Sequence, residues 1–97
     1  MKYNMYAIKD TVQGEMMNPF LLRNNEEAKR TFAQAVNTPG SHNVAVYYKD
    51  MQLYKIGEFD SVTGEIQSNV EYVCSGVDVK IETETKKGDT ENGVQNS

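Results

Sequence analysis

Leu53-Tyr54-Lys55-Ile56-Gly57-Glu58-Phe59-Asp60-Ser61-Val62-Thr63-Gly64-Glu65-Ile66-Gln67 reads as two strands joined by a tight loop. β-Forming residues fill the stretch from Leu53 to Phe59. Asp60-Ser61 and Thr63-Gly64 then supply turn chemistry, and Glu65-Ile66-Gln67 resumes the strand. Gly64 can take a positive φ without a Cβ clash, which a short hairpin loop usually demands somewhere. With this hairpin as its anchor, the chain reads as a small α+β domain.

Ninety-seven residues allow one domain with a modest core of about a dozen buried side chains. A dimer that buries one more apolar face would be a natural supplement. The net charge of −4 gives no overall field that attracts polyanions, so contact with nucleic acid needs a local basic cluster or stacking aromatics. Cys74 is the one cysteine, which excludes an internal disulfide and fits a reducing compartment. No apolar run approaches membrane-spanning length, and the N-terminus lacks the apolar region of a signal peptide. A cytoplasmic protein with no membrane contact is expected.

Residues 2–9 (KYNMYAIK) carry apolar side chains on both faces, as a central strand would. Residues 15–23 (EMMNPFLLR) follow a polar break. Pro19 cannot donate to a ladder, so this segment is expected at a sheet edge or as two short strands around a kink, with a loop as the competing reading. Asn24-Asn25-Glu26-Glu27 is a helix start: an Asn side chain can accept from a first-turn amide, and the two carboxylates oppose the dipole. Asn24 and Glu27 have capping-box spacing. Ala28, Phe32, Ala35 and Val36 then share one helical face, and Asn37-Thr38-Pro39-Gly40 ends the helix. Residues 41–43 are expected as loop and residues 44–48 (VAVYY) as a strand, with Lys49-Asp50 as a turn. Residues 70–81 (VEYVCSGVDVKI) read as a last strand broken near Ser75-Gly76. No internal repeat is read. The result is a two-layer α+β fold over residues 1–82: an antiparallel sheet of four to five strands with one helix packed on one face. Residues 83–97 are polar and are expected as a disordered tail.

Catalytic chemistry is not expected. His42 falls in the predicted loop with no second His or Cys at ligand spacing, so neither a metal site nor a cofactor is anticipated. Cys74, among Tyr72, Val73 and Val77, reads as a small buried hydrophobe rather than a nucleophile. Glu58, Asp60 and Glu65 could meet around the hairpin, where a solvated turn is the simpler account. Gly57 and Gly64 belong to a hairpin and form no phosphate loop. Binding has more support. Six tyrosines are many for this length, and aromatic rings on a sheet can stack on unpaired bases. The competing reading is that small sheets use tyrosine as an amphipathic filler.

Four stretches resemble the small nonstructural protein of gokushoviruses, the single-stranded-DNA phages of the Microviridae. Met5-Tyr6-Ala7-Ile8-Lys9-Asp10 resembles the family's opening strand, and Asn18-Pro19-Phe20 its Pro-Phe step. Asn24-Asn25-Glu26-Glu27-Ala28-Lys29-Arg30-Thr31-Phe32 resembles its Asn-led helix. Leu53 through Asp60, with Thr63-Gly64, resembles its Leu-x-x-Leu/Ile-Gly-x-Phe-Asp hairpin. The similarity spans about residues 3 to 68 and departs from the family between His42 and Met51 and again after Ile81.

The resemblance implies a non-capsid protein of the infected bacterial cytoplasm, with no catalytic residues. It also implies a role in DNA binding or in steering replication toward single-stranded genomes. On this basis single-stranded DNA is the expected ligand, bound on the open sheet face. Tyr6, Arg23, Lys49, Tyr54 and Lys55 are the candidate contacts, chosen by residue type and predicted strand position. The alternative is a protein-interaction module, a homodimer or an adaptor to a host or phage replication protein, which touches no DNA.

Overall fold

The computed structural model describes residues 1–40 and 42–81. Two hairpins lie side by side in one antiparallel sheet. The first is β1 (Lys2–Asp10) with β2 (Glu15–Leu22). The second is β3 (Met51–Asp60) with β4 (Ile66–Ser75). The strand order is β2-β1-β3-β4, so the long-range β1–β3 ladder joins two locally formed units. Between the hairpins run α1 (Asn25–Asn37), α2 (His42–Val46) and a 3-10 turn over Tyr48–Asp50, and α3 (Gly76–Val79) follows β4. The α+β class, the four strands and the helix over one face agree with the sequence reading. The tail expected over residues 83–97 lies outside the described residues.

α1 begins as its sequence dictates. The Asn24 side chain accepts from the Glu27 amide at 2.9 Å, capping the first turn. Glu27 reaches back one residue further than a capping box requires, to the Arg23 amide at 3.1 Å. Ala28, Phe32 and Val36 are buried against Tyr6, Ile8, Met51, Leu53 and Cys74 of the sheet. At the far end, Asn37 Nδ2 donates to the Val79 carbonyl, and Asn37 Oδ1 accepts from the Ile81 amide. One side chain thus ties α3 to the end of α1.

Pro19 sits on β2, an edge strand as expected. Asn18 before it takes a φ of 51°, and the β1–β2 register shifts there. Expectations for two other stretches, residues 42–48 and 70–81, are corrected. The segment 44–48 is not a strand, because both sides of β3 are already taken by β1 and β4. A strand arriving through the Lys49-Asp50 turn would have no edge to pair with, so the chain coils into α2 and the 3-10 turn. The loop expected at residues 41–43 is helix from His42 onward. The second correction concerns residues 70–81. β4 runs unbroken from the hairpin through Ser75, and Ser75 then caps α3 in a reciprocal capping box with Asp78.

The structure also shows a repeat that was not read in the sequence. Asp10-Thr11-Val12-Gln13-Gly14-Glu15 and Asp60-Ser61-Val62-Thr63-Gly64-Glu65 form the same loop. In each, the Asp carboxylate accepts from the amides two and three residues on. The Gly amide closes the turn on the Asp carbonyl at 2.7 Å in both. Thr11 donates through its amide and its hydroxyl to the Asp50 carbonyl, and Ser61 does the same to the Met1 carbonyl. Gly14 and Gly64 adopt φ of 73° and 81°.

Nothing lies within 4 Å of a Cβ built at either glycine, so substitution there meets conformational cost rather than a clash. Gly14→Ala and Gly64→Ala should therefore each lose about 1–2 kcal/mol, and by similar amounts, in urea unfolding. Phe32→Ala should cost about 3–5 kcal/mol in the same measurement, because its ring is fully buried under α1.

Candidate interaction face on the open side of the sheet

Directly opposed residues of an antiparallel ladder point to the same side. Ile8 opposes Leu53, and Leu53 opposes Cys74, which defines the side covered by α1. Ala7 opposes Tyr54, and Tyr54 opposes Tyr72, which defines the open side. The Tyr54 and Tyr72 rings meet edge to face, with centroids 5.8 Å apart and planes at 76°. Lys9 Nζ stands 5.7 Å from the Tyr54 centroid, a cation–π distance. The Tyr54 hydroxyl donates to Gln52 Oε1 at 3.2 Å, fixing the ring along its own strand. Two aromatic planes and one ammonium are therefore displayed together at one end of the open face.

The other end of this face is apolar. Met5, Pro19, Phe20, Leu21, Phe59 and Ile66 line a shallow groove of about 270 Å³. Lys9 is the one charged side chain that the register assigns to the open side of the described strands. On the opposite side, Lys2, Glu58, Asp60, Glu65 and Gln67 line a polar depression beyond the helix. The two sides of the sheet thus differ sharply in charge.

Of the five residues expected to contact DNA, Tyr54 alone sits in the open-face cluster. Tyr6 has no exposed surface. Its ring stacks on Phe20 at 5.8 Å, and its hydroxyl donates to Asn25 Oδ1 at 2.6 Å while accepting from Asn4. It holds the start of α1 and cannot stack on a base. Lys55 opposes Tyr6, so it lies on the helix side, where its ammonium is 3.6 Å from Glu58. Arg23 is exposed and paired with Glu27 at 3.0 Å. Lys49 is exposed in the 3-10 turn, at the end of the sheet nearer Lys9. Sequence reasoning left Tyr72 and Lys9 out of the set. Both residue types had been noted, but only the cross-strand register brings them to Tyr54.

Among the described residues, no group of three or more His, Cys, Asp or Glu side chains is placed to hold a metal ion. Glu58, Asp60 and Glu65 do approach one depression, yet the Asp60 carboxylate is committed to its own turn. Cys74 is buried, and burial pushes its thiol pKa up, which leaves it protonated and unreactive at neutral pH. The Val62 amide, first, and then the Thr63 amide hold Asp60 below the usual carboxylate range. The Arg23 amide and then its guanidinium do the same for Glu27.

A depressed folded-state pKa stabilises the fold above the unfolded value and loses that effect as pH falls through the folded one. Unfolding midpoints in urea should therefore be flat from pH 7 to about 5 and decline below about pH 4. In an NMR titration, the Asp60 and Glu27 carboxyls should titrate below free Asp and Glu. Midpoints at the free values would contradict the turn and cap geometry.

No helix among the described residues is long and apolar enough to cross a membrane. The family model described as Phage ORF5 protein matches residues 3–79. No curated protein and no solved structure matches the chain.

Proposed function

The chain belongs to the Phage ORF5 protein family, and from that premise we propose that it is a noncatalytic phage protein that binds single-stranded DNA. In this reading it acts in viral DNA replication in the cytoplasm of the infected bacterium. The carrying observation is the cluster of Tyr54, Tyr72 and Lys9 on the open face. Unpaired bases stack on such rings for roughly 1–3 kcal/mol each, without regard to sequence. Lys9, with its ammonium 5.7 Å from the Tyr54 centroid, can supply a counter-charge for a phosphate beside a base stacked there. With a net charge of −4, binding rests on this local cluster and not on the field of the whole molecule. The motif resemblance to gokushovirus nonstructural proteins supports the same setting.

A second reading is favoured by a different observation. The groove lined by Met5, Pro19, Leu21, Phe59 and Ile66 carries no charged side chain. Apolar surface of this kind suits an adaptor that docks on a replication protein.

Titration with a single-stranded oligonucleotide separates the two. The chain has no tryptophan, so its intrinsic fluorescence comes from tyrosine. Binding should quench that emission saturably and weaken as salt rises, since phosphate contacts release counterions. Tyr54→Ala should weaken it roughly tenfold, and Lys9→Ala should flatten the salt dependence. No quenching at micromolar protein in low salt would overturn the DNA reading and leave the adaptor.

A further inference from the structure

The two edges of the sheet are built differently. β2 carries Pro19, the left-handed Asn18 and a register shift, each of which hinders pairing with another strand. Between Ile66 and Tyr72, β4 has no proline, no lysine and no left-handed residue, and Glu71 is its one charge; a register shift against β3 is the one irregularity it shares with β2. Every residue from 61 to 72 is exposed. Lys55 and Gly57 pair with Glu71 and Ser68 on one side and with Tyr6 and Met5 on the other, odd separations in both neighbours, so β3 is the strand that reverses face at Ile56 although β4 carries one residue more than β3 there. β4 therefore alternates regularly over this span, with residues 66, 68, 70 and 72 on the open side and 67, 69 and 71 on the other. Three large apolar side chains stand out from it: Ile66 is 62% exposed, Val70 59% and Tyr72 53%.

We infer that this edge is a homodimer interface, in which two copies pair antiparallel along β4 about a two-fold axis at Asn69. The argument for a second copy is self-complementarity. In this register Ile66 opposes the partner copy's Tyr72, Ser68 opposes Val70, and Gln67 opposes Glu71. The two largest exposed apolar side chains of the span, Ile66 and Tyr72, face each other across the two-fold, and no like charges meet. Centring the axis on Ser68 sets Glu65 against Glu71. Centring it on Glu71 sets that residue against itself. An isologous contact of this kind closes on itself and yields one continuous eight-stranded sheet rather than a fibre. The axis is perpendicular to the sheet, so both open faces end on the same side. The inference is independent of the DNA reading, since an adaptor could dimerise in the same way.

Sedimentation of the full chain at tens of micromolar should give twice the monomer mass. Directly opposed Cα atoms lie about 4.5–5.5 Å apart, within disulfide reach. Asn69→Cys should therefore oxidise to a covalent dimer, whereas Gln67→Cys, which does not face itself, should not. Gln67→Lys should tighten the dimer and Gln67→Glu loosen it, each about threefold, through the facing Glu71. All three positions are exposed, and an unchanged far-UV spectrum confirms that the variants fold. A monomer mass at these concentrations, a mass that grows without limit, or cross-linking through Gln67→Cys in preference to Asn69→Cys would each overturn the proposal.

Discussion

The ladder between β1 and β3 is the constraint on which the rest depends. Residues 2–10 pair with residues 51–60, and this ladder joins two otherwise local hairpins into one sheet. Closing so long a loop has an entropic cost, which grows only slowly with length. The crossing chain helps to offset it by folding as α1 and burying Phe32 and Val36 over the same two strands. Tyr6 couples the layers. Its ring lies in the core, and its hydroxyl reaches Asn25 at the first turn of α1. A buried tyrosine is tolerable only when its polar end finds a partner, so strand and helix are fixed against each other by one side chain.

The paired hairpins give the domain an approximate internal two-fold. Each ends in an Asp-x-Val-x-Gly-Glu loop whose Asp carboxylate gathers the turn amides, and each loop is pinned to the start of the strand beside it. Because β1 and β3 are antiparallel, the two tips lie at opposite ends of the sheet. Their valines, Val12 and Val62, are both exposed. The duplication concerns turn chemistry rather than the core. Tyr6 and Leu53 sit on corresponding first strands yet share neither size nor polarity.

Local chemistry was legible in the sequence wherever it was decisive. The Asn24 cap, the Ala28–Phe32–Val36 stripe, the edge position of Pro19 and the Asp60–Gly64 turn could each be read from a few adjacent residues. The VAVYY segment could not. Its β-branched and aromatic residues suit a strand, and only the occupancy of both sides of β3 forbids one. The same limit governed the site. Tyr6 and Tyr54 are indistinguishable by type and strand, but the register sends one under the helix and the other to the open face. Lys55 was misjudged for the same reason. The repeated turn was visible in principle, as six aligned residues fifty positions apart, but so short a match stands out only once both loops are seen to share their hydrogen bonds.

The division of the sheet into a side rich in charge and one that carries Lys9 alone bears on what the open face can do. Packing α1 on one side takes up the apolar residues of that side near the middle of the sheet, and leaves Glu58, Asp60 and Glu65 beyond its reach. The open side keeps the Tyr54–Tyr72 pair at one end and an apolar groove at the other, with Lys9 over the Tyr54 ring. A single such cluster is a small platform for a nucleic acid. Pairing along β4 would enlarge it without new chemistry. Tyr72 of each copy would then stand six residues along the strand direction from its counterpart, about 20 Å at the rise of an extended chain. The apolar groove of each copy, which ends at Ile66, would then run up to the Tyr72 of the other copy. A surface on which each apolar groove adjoins a tyrosine pair of the other copy lets stacking and protein docking coexist, because each uses a different part of the same face.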